Sequence, residues 1–308
     1  MMRHSGGKSP FGDALDGGIV IFDGAMGTEL LQRTDNLLPC EGLNLSRPEL
    51  VENLHRAYLL AGAQVIRTNS FGANRVMLER YGLEAQTSAI NRAAVAIARQ
   101  AVGNPNPGRS VLIAGSIGPI HHSVYQSLRT TCSPQDAYAE QARALLEAGA
   151  EMLICETFQR LEDVAEVLAA VLPAAREADR TTPVAVCLSP PDDSEQAADF
   201  AASIFEAVIR GSGVDLFGLN CGSGPESVVR PIVDLKQRVS LPLLALPSAG
   251  IPIVDGKSLR YPVGIAEFAA VLLDLADRGL VAAVGGCCGT TPAYIAALAK
   301  AVGGRAAD

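Results

Sequence analysis

The feature that most constrains the fold of this chain is an alternation sustained along its whole length. Eight short apolar or β-branched runs recur at 19–23, 64–69, 111–116, 152–156, 184–188, 215–220, 243–247 and 280–284. Each is followed by a longer stretch with helical spacing, at 48–61, 85–102, 133–148, 161–178, 195–211, 225–238, 265–278 and 292–302. The first opens with Pro48 and sets Leu50, Leu54, Ala57 and Tyr58 on one face, as an amphipathic helix requires. In the third, Ser133 caps the start and Gly149 closes the end. Strand–helix alternation implies a parallel sheet, and eight repeats predict that it closes into a (β/α)8 TIM barrel. A doubly wound open sheet is the alternative. With no linker-like break, 18–308 reads as one domain, preceded by a polar, glycine-rich stretch at 1–17 expected to be a flexible tail.

Composition narrows the function classes. Of the 308 residues 48% are hydrophobic and 19% charged, enough for one large core and unlike a disordered chain. A net charge of −8 argues against nucleic acid and anionic membranes as partners. Without Trp, and with only 5% aromatic residues, base-stacking platforms are also disfavoured. Seven cysteines, an odd number scattered through a large chain, do not form a disulfide framework and fit a reducing compartment. No apolar run approaches the ~20 residues that span a bilayer, and 1–18 has no signal-type apolar core. The expectation is a cytoplasmic protein.

Barrel enzymes gather their chemistry at the C-terminal ends of the strands. Here those ends carry Asp23, Asn69, Ser116, Glu156, Cys221, Ser248 and Cys287. Cys287 and Cys288 lie between Gly286 and Gly289, and the glycines give the backbone the freedom to turn both thiols toward one point. Cys221 ends the sixth run, Glu156 the fourth, and Cys287 follows the eighth, so all three can face one mouth. Three thiolates with one open position suit a catalytic zinc site. Taken alone, the Cys287–Cys288 pair is equally compatible with two buried small hydrophobes. Asp23 and Glu156 read either as structural acids in salt bridges or as groups facing a substrate. Cys40, Cys132, Cys155 and Cys187 lack partners at ligand spacing, and the histidines add little.

Five motifs in order carry a resemblance. Asp23-Gly24-Ala25-Met26-Gly27-Thr28-Glu29-Leu30, Thr68-Asn69-Ser70-Phe71-Gly72-Ala73, Gly115-Ser116-Ile117-Gly118-Pro119, Gly218-Leu219-Asn220-Cys221 and Gly286-Cys287-Cys288-Gly289-Thr290-Thr291-Pro292 resemble the homocysteine S-methyltransferase family over 19–302. The resemblance implies zinc (Zn2+) on Cys221, Cys287 and Cys288, homocysteine as substrate and methionine as product. It further implies that Asp23 and Glu156 bind the substrate α-ammonium, with Thr157 and Ser116 adding hydrogen bonds. Asn69 either joins them or ties two loops together. A thiolate substrate remains nucleophilic at such a metal, whereas the thioether product is a weak ligand. Where the family usually has Asn, this chain has Ser248, a shorter and poorer zinc ligand, so water is expected in the fourth position. The loops at 40–44 and 68–73 are more similar to the homocysteine module of cobalamin-dependent members than to betaine or S-methylmethionine members. The methyl donor is therefore expected to be a separate corrinoid protein or a small free donor. The alternatives are a non-catalytic zinc- or thiol-binding barrel, a methyltransferase for another thiol, and a phosphate site in the last two loops. Neither Lys nor Arg stands beside Cys287 to support the phosphate site.

Overall fold

The computed structural model describes residues 11–12, 18–34, 38–103, 111–128, 130–179, 181–192, 194–255 and 258–305. Eight parallel strands form one sheet. They are β1 (Val20–Ile21), β2 (Val65–Arg67), β3 (Leu112–Ile117), β4 (Met152–Phe158), β5 (Val184–Leu188), β6 (Leu216–Cys221), β7 (Leu243–Pro247) and β10 (Ala283–Val284). Their order is β1-β10-β7-β6-β5-β4-β3-β2. A parallel bridge between Phe22 and Val65 then joins β1 to β2 and brings the two ends of the sheet together. This is the expected TIM barrel. Between β7 and β10 the chain adds an antiparallel hairpin, β8 (Ile253–Asp255) and β9 (Ser258–Arg260), which the apolar-run pattern does not reveal.

The helices match the sequence reading most closely where their ends are chemically marked. Pro48–Ala61 begins at its proline and stops where Gly62 takes φ 109°. Pro134–Glu147 is capped by the Ser133 side chain, which accepts from the Asp136 N–H. Short helices at Gly27–Arg33, Arg75–Glu79 and His122–Ser127 lie within the loops and carry too few turns for a periodic signal.

The period of two along each strand divides the core. Ile66, Ile113, Leu153 and Val186 face the helix layer, while Val65, Leu112, Ala114, Met152, Ile154, Ala185 and Cys187 fill the barrel interior. Continuing the inward period past that apolar plug gives Arg67, Ser116, Glu156 and Asn220, all at most 6% exposed. The barrel is thus apolar below and polar at its C-terminal mouth. Phe11, within the 1–17 stretch, is 2% exposed and packs against Phe22 in the interior set, with ring centroids 6.3 Å apart. Apart from Phe11 and Gly12, 1–17 lies outside the described residues. Among the described residues no helix is long and apolar enough to cross a membrane.

Candidate active site

At the mouth the Cys221, Cys287 and Cys288 sulfurs all lie within 4.8 Å of one another, the one such cluster of potential metal ligands among the described residues. Cys221 ends β6 with φ 61°, in the left-handed region. Such backbone costs a β-carbon residue ~1–3 kcal/mol and tends to occur where function demands it. The other two thiols sit on a turn after β10. There the Cys287 N–H donates to Pro247 O (2.8 Å), and Thr290 Oγ1 returns a bond to Cys287 O (2.6 Å). Gly286 is required because a Cβ would stand 2.2 Å from Thr290 Oγ1. Gly289 is required twice over, by φ 77° and by the Tyr261 ring 2.1 Å from where its Cβ would be. Hydrogen bonds from Cys287 and Cys288 pull the Cys221 thiol down to about 3, while the shared protons push Cys287 up to about 11 and Cys288 higher still. Three sulfurs gathered this closely offer the donor set a thiophilic cation needs.

Glu156 and Thr157 share an irregularity in β4, where the register with β5 shifts between Cys155 and Phe158 and Thr157 takes φ 70°. Bulges of this kind re-aim side chains beside active sites. Ser116 Oγ donates to Glu156 Oε1 at 2.5 Å. Asn220 fixes Thr157 from both sides, accepting its N–H and donating to its Oγ1 (both 2.8 Å), and also reaches Cys287 Sγ at 3.8 Å. Asn69 donates to Cys40 O and Asn44 Oδ1 (both 2.9 Å), so it ties two loops together while also lining the cavity.

Arg67 was not anticipated. Its Nε donates to Asp23 Oδ1 and its Nη1 to Glu156 Oε2, each at 2.8 Å. Its Nη2 donates to the carbonyls of Asp23, Gly24 and Gly286, and its backbone N–H to Asp23 Oδ2. Burial alone would lower this guanidinium's pKa, but Glu156 and Asp23 outweigh it and hold Arg67 well above its ordinary value. Burial lifts Asp23 to about 6 in spite of its partner. The signal was present in the sequence: Arg67 is the one cation in a β-branched run, two positions beyond inward-facing Val65.

A cavity of about 390 Å³ opens onto Arg67, Ser116, Glu156, Thr157 and the three cysteines, with Met26, Leu31, Phe71, Met77 and Tyr81 among its apolar walls. Asp23 and Ser248 do not line it. Ser248 donates its hydroxyl to Gly222 O (2.5 Å) and its N–H to Cys221 O (2.9 Å). His121, dismissed on sequence, lines the cavity, as does Glu41, one of whose oxygens accepts the Gly72 N–H. Tyr58, from a helix behind the site, directs its hydroxyl at the carbonyls of Ala25 and Thr290 and so joins the first and last loops.

Comparison with known proteins agrees with this geometry. Methionine synthase of Mycobacterium tuberculosis is 34% identical over 310 residues, covering 94% of this chain but 25% of that protein. The Mycobacterium leprae methionine synthase is 33% identical and is covered to 24%. The chain thus spans about a quarter of the length of these curated relatives. The metallated form of the homocysteine methyltransferase MmuM from Escherichia coli superposes with a TM-score of 0.73 at 29% identity, covering 95% of this chain and 100% of that one. The homocysteine S-methyltransferase family model matches residues 20–302, from the first barrel strand through the paired cysteines, and the chain belongs to that family.

Proposed function

We propose that this chain transfers a methyl group to the sulfur of homocysteine, forming methionine, with zinc held by Cys221, Cys287 and Cys288. The supporting observation is the convergence, in one cavity, of three thiols within 4.8 Å of one another and a buried carboxylate, Glu156. When bound, zinc allows the substrate sulfur to be held as a thiolate at neutral pH. The protein's part is recognition and placement. Glu156, held by Ser116 and Arg67, retains lone pairs for the substrate ammonium, and Thr157 is pinned by the Asn220 amide that also reaches Cys287. The cavity's apolar wall and volume of about 390 Å³ leave room for the group that brings the methyl.

The test is to incubate zinc-loaded protein with homocysteine and, in parallel, methylcobalamin, S-methylmethionine or betaine, measuring methionine by mass spectrometry. Methylcobalamin stands in for a corrinoid protein. Methionine should form with at least one donor. Glu156→Gln should raise the homocysteine KM roughly ten- to a hundred-fold, as expected for one charge-assisted hydrogen bond, with zinc content unchanged. One zinc per chain with no methionine from any donor would instead favour a non-catalytic thiol-binding barrel.

A further inference from the structure

Two carboxylates and one guanidinium occupy the floor of the mouth, and their arrangement is unequal. Asp23 is fully buried, both of its oxygens accept from Arg67, and it does not line the cavity. Glu156 lines the cavity, and Arg67 addresses only its Oε2. Together the three groups carry a formal charge of −1, and of these two carboxylates Glu156 is the one that lines the cavity. The same guanidinium holds Gly286 O (2.6 Å), one residue before Cys287, so a single side chain spans β1, β4 and the turn that carries two of the thiols.

We infer that Arg67 sets amino-group selectivity through charge: it neutralises Asp23, so that of its two carboxylate partners only Glu156 is presented to the substrate ammonium. This deepens the homocysteine reading and rests on it. Asp23 then acts on the substrate only through Arg67. Removing Asp23 alone should therefore harm recognition by leaving a surplus cation beside Glu156, whereas removing Asp23 and Arg67 together should restore the local charge.

The test compares two thiols that differ only in the amino group, homocysteine and 4-mercaptobutanoate. Their dissociation constants are measured by calorimetry on the zinc-loaded full chain, with metal content and Tm recorded for each variant. The ratio of the two constants cancels general effects on folding or on the metal, so a merely structural role would not change it. The parent should prefer homocysteine by roughly ten- to a hundred-fold. Asp23→Asn should lose most of that preference, and Asp23→Asn with Arg67→Gln should regain it to within about threefold. A double variant as indifferent as Asp23→Asn would overturn the inference. Should Asp23→Asn fail to fold, Asp23→Ser takes its place in the comparison, because it also removes the charge that balances Arg67. A parent that binds both thiols equally would overturn the homocysteine reading and the Arg67 inference together. Arg67→Gln alone is not diagnostic, since it leaves a buried carboxylate without its partner.

Discussion

Ser248, the position where the resemblance implies a longer amide side chain, has its hydroxyl committed to Gly222 O at 2.5 Å. It does not line the cavity, and the expectation is that it is not a metal ligand. Ser248→Ala should leave zinc affinity within about threefold of the parent in equilibrium competition with a chelator, since it deletes no ligand. Loss of zinc in that variant would show the serine to be a ligand. Arg67 poses the opposite case, an arginine 6% exposed that is stable there only because two carboxylates and three carbonyls surround it. Site chemistry was thus legible where one residue type repeats, as with Cys221, Cys287 and Cys288. It was obscured where a charge lies inside a strand and its partners come from β1 and β4, because sequence spacing carries no record of that contact.

At the scale of elements, the strands were found because each is a short apolar run, and their inward period placed Ser116 and Glu156 correctly at the mouth. Their lengths were not legible. The run at 280–284 contributes ladder pairs only at Ala283 and Val284, since Leu280 still closes the preceding helix by donating to Leu275 O. The β8–β9 hairpin was missed because Ile253-Val254-Asp255 and Ser258-Leu259-Arg260 form no sustained apolar run like those of the barrel strands. The hairpin nonetheless bears on the site, because Tyr261, just after β9, packs against Gly289. Gly289→Ala should displace that ring and the turn it covers, lowering zinc affinity by about tenfold or more while the barrel still folds. Unchanged affinity in a chelator competition would mean that the turn tolerates a β-carbon.

At the scale of the whole molecule, the site rests on a barrel whose two large apolar clusters do not include the three cysteines, so the chain should remain folded with or without a metal on them. His55 should make the fold sensitive to acid. It is fully buried within Pro48–Ala61, and neither ring nitrogen has a hydrogen-bond partner among the described residues. Burial lowers its pKa from 6.5 to about 4, so as pH falls through that window the unfolded chain takes up a proton that the folded chain resists. The stability associated with a neutral His55 is therefore present above pH 6.5 and lost towards pH 4, by about 3 kcal/mol at 1.36 kcal/mol per unit. His55→Leu should lose correspondingly less stability between pH 7 and 4.5 in urea unfolding, and equal losses in both proteins would exclude His55 as the source. The central claim is that one zinc sits on three cysteine sulfurs and takes the substrate thiol as a fourth ligand. X-ray absorption at the zinc edge measures this directly. The protein alone should show three sulfurs at ~2.3 Å, rising to four when homocysteine is added. The absence of a sulfur shell, or a sulfur count that homocysteine leaves unchanged, would contradict it.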